Sequence, residues 1–189
     1  MDRKKTGEWD STYAGGLRYA MIMIQRDPFA VAFEWIVGIF RVHAIPFQLS
    51  GGLAARIYGS PRELRDLDFD IPDNRIGDVA VLLAPFVRFG PERTRSRAFE
   101  NVLLTLCYGG VSIDIGGGTT CRIFDPRTDT WEQCASDFGV FSEEEVYGMV
   151  VPVIRPDDLV GYKSVNPRAE DLEDIVAVRR VMMTSHDGG

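Results

Sequence analysis

A chain of 189 residues with 45% apolar and 11% aromatic content can bury a real core, which excludes global disorder and fits one domain. Its net charge of −7 excludes a protein that coats nucleic acid non-specifically or lies on an anionic membrane, while leaving room for a local basic patch. Cys107, Cys121 and Cys134 stand far apart with no C-x-x-C spacing, so they read as reduced thiols, not as a disulfide frame or a zinc site.

Residues 1–15 are polar and expected to be loosely ordered. Residues 16–25, with Met21-Ile22-Met23-Ile24, fit a helix or a short strand, the helix being preferred. The N-terminus has no signal-peptide core, and the apolar run 29–40 is too short to span a bilayer and contains Glu34. A soluble, cytoplasmic chain with no membrane partner is expected. Asp27-Pro28 opens a helix, and Phe29, Phe33, Ile36, Val37 and Phe40 then recur at helical spacing. His43 at its end reads as a helix-terminal or packing residue.

Residues 45–49 read as an entering strand, Gly51-Gly52 as a tight turn, and 53–58 as a short helix closed by Gly59. Asp66-Leu67-Asp68-Phe69-Asp70-Ile71 alternates as a strand does, with three carboxylates on one face and three apolar side chains on the other. Three like charges in a row are tolerable in water or around a divalent cation. Ile76, Val79, Leu82 and Leu83 mark a helix that stops near Pro85. Arg88, Arg93, Arg95 and Arg97 fall in a stretch read as a loop, either solvated or a rim for a phosphate or an acceptor. Gly109-Gly110 between two β-rich runs signals a hairpin whose second strand carries Asp114 among apolar neighbours.

Glu143-Glu144-Glu145 reads as a solvated helix start, 149–154 as a strand and Pro156-Asp157-Asp158 as the start of a helix bearing Leu159, Tyr162 and Lys163. Asn166-Pro167 restarts a final helix with Leu172, Ile175, Val176, Val178 and Val181 as apolar positions. The glycine run after Asp114 looks like an ATPase phosphate loop, but the chain is too short for that fold, and the glycines read as a sharp strand exit.

Asp-x-Asp on one strand with a third Asp nearby is the pattern a two-metal phosphoryl-transfer site requires. Mg²⁺ takes hard oxygen ligands, and two such ions about 3.5–4 Å apart serve the attacking and leaving oxygens. A glycine turn at a helix start lets backbone N–H groups approach a triphosphate. On these residues the chain resembles the nucleotidyltransferase superfamily, in particular the lincosamide and aminoglycoside enzymes and the abortive-infection toxin type. The match runs through Leu49-Ser50-Gly51-Gly52, Arg62, Asp66-Leu67-Asp68-Phe69, Asp114, and a tail of Leu159, Lys163, Arg168, Asp171, Leu172, Asp174 and Ile175, over roughly residues 29–180.

The resemblance implies an α/β (α+β) fold: a small mixed twisted sheet with helices packed on one side. A core of about 27–155 would be followed by a C-terminal helical segment of about 156–183. It implies catalytic and metal-binding roles for Asp66, Asp68 and Asp114, with Gly51, Gly52, Arg62 and Lys163 at the nucleotide. Asp68-Phe69-Asp70 fits the same pattern, but Arg62 stands four residues before Asp66, which favours the first pair. Asp171 and Asp174 are expected to fix helix packing or pair with Arg168. The implied reaction is Mg²⁺-dependent transfer of a nucleoside monophosphate from an NTP to a hydroxyl, with two ions expected. The acceptor would be an antibiotic-like small molecule or an RNA 3′ end, the latter with a cognate antitoxin as partner. The rival reading is a catalytically silent nucleotide-binding or partner-binding member of the same fold.

Overall fold

In the computed structural model, which describes residues 26–186, the chain runs through helices α1 (Pro28–Val42), α2 (Gly51–Ile57), α3 (Asp73–Leu82), α4 (Pro156–Val165) and α5 (Ala169–His186). The strands are β1 (Gln48–Leu49), β2 (Asp66–Ile71), β3 (Val87–Arg95), β4 (Phe99–Tyr108), β5 (Val111–Gly117), β6 (Arg122–Asp125), β7 (Thr130–Gln133), β8 (Ser142–Val146) and β9 (Met149–Val153). The expectation for residues 1–25 lies outside the described residues.

The strands form one mixed sheet in the order β7-β6-β4-β5-β2-β1-β9-β8, with β3 added on β4. β2 lies parallel to β5 and β1 parallel to β9, and the other pairings are antiparallel. This is the mixed α/β architecture expected. Leu67, Phe69 and Ile71 of β2, Ile113 and Ile115 of β5, and Leu104 and Leu106 of β4 share one face and are fully buried. Helix α1 covers them: Phe33 and Phe40 lie against Phe69 with ring centroids 5.8 and 5.5 Å apart. Asp27 caps that helix, its carboxylate accepting from the Phe29 N–H at 3.0 Å. Among the described residues no helix is long and apolar enough to cross a membrane.

Three local expectations are corrected. Residues 87–95 are not a loop but edge strand β3, whose pairing with β4 is interrupted by register shifts around Gly90-Pro91. Pro is tolerated at such an edge, and Arg93 and Arg95 of this strand pair with Glu100 of β4. Glu143-Glu144-Glu145 starts no helix. It lies in strand β8, paired with β9 around a turn in which Tyr147 and Gly148 both have positive φ, as a two-residue hairpin requires. On α5, Leu172, Val176 and Val181 are exposed, while Asp171, Asp174, Ile175 and Val178 face inward. The inward stripe carries carboxylates because cations from α4 and the segment after α2 meet it there.

Candidate active site

The alternation of β2 sends Asp66, Asp68 and Asp70 to the face opposite the core, and the parallel register sets Asp68 beside Asp114 on β5. Asp66, Asp68 and Asp114 each offer a carboxylate oxygen, and these three oxygens lie within 4.8 Å of one another. They line a cleft of about 940 Å³ together with Gly51, Gly52, Arg62, Tyr162 and Lys163. The seven residues to which the resemblance gives catalytic, metal or nucleotide roles therefore line one cleft.

Gly51 belongs there for a steric reason. Its φ is +60°, and a Cβ at this position would fall 1.8 Å from Asp68 Oδ2. The Gly52 N–H donates to the same oxygen at 3.2 Å, and the Ser50 N–H to the Asp68 carbonyl at 3.0 Å. The glycine turn thus first seats Asp68, with the start of α2 aimed at a carboxylate.

The acids repel one another, and burial withdraws water from them. Burial, then the neighbouring Asp66, pushes the Asp68 carboxyl up to about 7, against the opposing Gly52 N–H. Burial also raises Asp114, although Thr105 donates to its Oδ1 at 2.7 Å. Such upward shifts mark carboxylates whose negative charge lacks a partner. Asp70 stands apart from the trio: it accepts from Ser136 Oγ at 2.9 Å, and burial lifts it to about 6. A Cβ on Gly116 would come within 3.0 Å of Asp70 Oδ1, so that glycine makes room for a carboxylate.

Arg62 and Lys163 reach the cleft wall already paired. Lys163 is only 4% exposed, and its ammonium contacts Asp171 at 2.6 Å and Asp174 at 3.0 Å. Arg62 Nε meets Asp174 at 3.3 Å, and Ser60 Oγ donates to the same carboxylate at 2.7 Å. Arg168 holds Asp171 at 2.8 Å. Burial alone would raise both carboxyls. Hydrogen bonds from Arg168 and Lys163 to Asp171, and from Ser60, Arg62 and Lys163 to Asp174, hold them below the usual range. Asp171 and Asp174 thus tie α5 to α4 and to the segment before β2, as expected of packing residues. No role in the sequence reading was given to Ser60, Thr105 or Ser136. Thr105 was accessible by counting back from the Gly109-Gly110 turn, where Tyr108 opposes Val111 and Thr105 opposes Asp114.

No protein-family model matches the chain, and no curated protein matches it in sequence. Solved structures do match. A Thermotoga maritima protein assigned as a nucleotidyltransferase aligns over 81% of this chain and 89% of its own, at TM-score 0.51 and 16% identity. The lincosamide antibiotic adenylyltransferase LnuA, lincomycin-bound, aligns over 79% and 95%, at TM-score 0.53 and 16% identity. ANT(2'')-Ia, in complex with adenylyl-2''-tobramycin, aligns over 85% and 90%, at TM-score 0.53 and 15% identity. At these identities the shared property is the fold, and that fold is the nucleotidyltransferase fold the sequence resembles.

Proposed function

We propose that the protein is an Mg²⁺-dependent nucleotidyltransferase that moves a nucleoside monophosphate from an NTP to a hydroxyl of a small, antibiotic-like molecule. The observation that carries this reading is the convergence of Asp66, Asp68 and Asp114 in one cleft. The fold shared with proteins captured with lincomycin or an adenylylated aminoglycoside supports a small acceptor over an RNA 3′ end.

The donor set fits a hard divalent cation: three carboxylates, no softer ligand, and a mutual repulsion that a cation would relieve. Asp66, Asp68 and Asp114 would hold two Mg²⁺ ions, which when bound neutralise triphosphate charge and stabilise the oxygens of an in-line displacement. The Gly51-Gly52 turn lets the phosphates approach the backbone, since any Cβ at Gly51 would displace Asp68. Arg62 and Lys163 add positive field on the triphosphate side while their carboxylate partners hold them in place.

Asp114 is the base. Thr105 occupies Oδ1, and Oδ2 takes the proton of the acceptor hydroxyl as its oxygen bonds to the α-phosphorus and pyrophosphate leaves.

The test is incubation of the purified protein with each labelled NTP, Mg²⁺, and a panel of aminoglycosides and lincosamides, with bulk tRNA as a separate arm. Label is expected on a small molecule, and it should be lost in Asp66→Ala, in Asp114→Ala and on chelation. Label on tRNA instead would move the acceptor to an RNA 3′ end and bring a cognate antitoxin into the picture. With neither transfer nor NTP binding in any arm, the reading fails in favour of a silent nucleotide- or partner-binding protein.

A further inference from the structure

The sequence reading treats Cys121 and Cys134 as separate thiols, but the ribbon of β6 and β7 sets them face to face. Arg122 pairs with Gln133 at the end of the ladder, and one step further out the Cys134 N–H donates to the Cys121 carbonyl at 2.9 Å. Residues bonded directly opposite each other in antiparallel strands have Cα atoms about 5.5 Å apart. That lies inside the 4.4–6.8 Å span of a disulfide. Directly opposed side chains also share a face. Both cysteines are half-buried and both line the cleft, and each thiol shifts the proton affinity of the other. Cys107 is elsewhere, on β4 opposite Ser112.

We infer that Cys121 and Cys134 form a reversible dithiol–disulfide pair in the cleft wall, oxidised by small-molecule disulfides of the glutathione type. The hydrogen bond from Cys121 holds the Cys134 thiol below its usual range, and the same bond, together with burial, raises Cys121. Whichever sulfur attacks, the other resolves, as in the route that starts from Cys134. The Cys134 thiolate attacks one sulfur of oxidised glutathione, forming a mixed disulfide and releasing one glutathione thiol. Cys121 then attacks the Cys134 sulfur, closing the protein disulfide and releasing the second thiol. In total two protein thiols lose two electrons and two protons, and one glutathione disulfide gains them.

The link closes the β6–β7 hairpin and pins the base of the segment that follows it, in which Ser136 stands two residues beyond Cys134. That residue donates to Asp70 through its Oγ at 2.9 Å and to the Gly118 carbonyl through its N–H at 2.9 Å. Oxidation thus fastens the wall of the cleft across from β2. Neither the bond nor its detection depends on the transferase reading.

The full chain is incubated with oxidised glutathione, alkylated and mapped by non-reducing peptide mass spectrometry. The expected result is a loss of the mass of two hydrogens and a peptide joining residue 121 to 134, with Cys107 still alkylated. The melting temperature should rise and should return with dithiothreitol. Cys121→Ser and Cys134→Ser should each stop at a mixed disulfide on the remaining cysteine of the pair, with no joined peptide. A link through Cys107, or glutathione adducts on both cysteines with no joined peptide, overturns the inference. So does a wild type that stays fully reduced in the glutathione redox range where mixed disulfides form on an exposed control thiol.

Discussion

Two clusters of aspartates, one buried behind Arg62 and Lys163 of the cleft wall and one lining the cleft, handle the same side chain in opposite ways. Asp171 and Asp174 are buried beside Lys163, Arg62 and Arg168, and each carboxylate is matched by cationic donors at 2.6–3.3 Å. Their proton affinity falls. Among the described residues, a threonine hydroxyl and one backbone N–H are the hydrogen-bond donors to Asp66, Asp68 and Asp114, which face one another. There the proton affinity of Asp68 and Asp114 rises. The first cluster completes its charges within the chain and spends them on holding α4, α5 and the segment before β2 together. The second leaves its charge uncompensated among the described residues, the state a site keeps for a ligand that brings positive charge.

The contrast can be broken from either side. Asp114→Asn removes a proposed ligand and the base together. Metal-based charge stabilisation is worth several kcal/mol, so transfer should fall by about 10³-fold or more at 1.36 kcal/mol per decade. Initial rates on labelled NTP read this, with melting temperature little changed. Lys163→Met attacks the other cluster. It leaves Asp171 and Asp174 buried without their shared cation, and denaturant unfolding should show a loss of about 3 kcal/mol. A variant as stable as wild type would mean that the α4–α5 ion cluster does not hold the helices.

The two clusters should also differ in pH response in chelated protein. Asp68 has a folded value near 7, above its unfolded value. The native state therefore binds the extra proton between about 4 and 7, and stability declines as pH rises through that window. Asp68→Asn should reduce this slope in melting scans, leaving the part that Asp70 and Asp114 contribute. Asp171 and Asp174 have depressed folded values, so their contribution is present above about pH 4 and is lost only on further acidification. The smallest effect is expected at Asp70. Asp70→Asn keeps an acceptor for Ser136, and transfer should change by less than about tenfold, the scale of one neutral hydrogen bond. A loss as large as that of Asp114→Asn would move the ligand set to Asp68 and Asp70.

What could be read ahead of the structure was whatever one strand or one helix decides alone. The period-two alternation of Asp66 to Ile71 already separated core from cleft, and the glycine hairpin placed Asp114 on a strand. The position of Arg62 pointed to Asp66 and Asp68, which the fold brings together with Asp114 while Asp70 turns to Ser136. Partners set by tertiary packing were not legible. The resemblance put Lys163 at the nucleotide, but the two aspartates of the next helix that enclose its ammonium could not be read from it. The glutamate run carried helix propensity but was taken up by β9 as a hairpin partner, a case of cross-strand pairing overriding local preference. The arginine stretch gave no strand signal because Gly90-Pro91 interrupts it, and only pairing along β4 makes it a strand.

The central claim is that Asp66, Asp68 and Asp114 form a cation site completed by a nucleotide. The most direct measurement is the melting temperature at pH 7 with and without Mg²⁺ plus a non-hydrolysable ATP analogue, for wild type and Asp68→Asn. The expected result is a rise in wild type that needs both additions, as binding to the native state requires, and no rise in the variant. An equal rise in both proteins, or none in wild type at saturating Mg²⁺ and nucleotide, would contradict it.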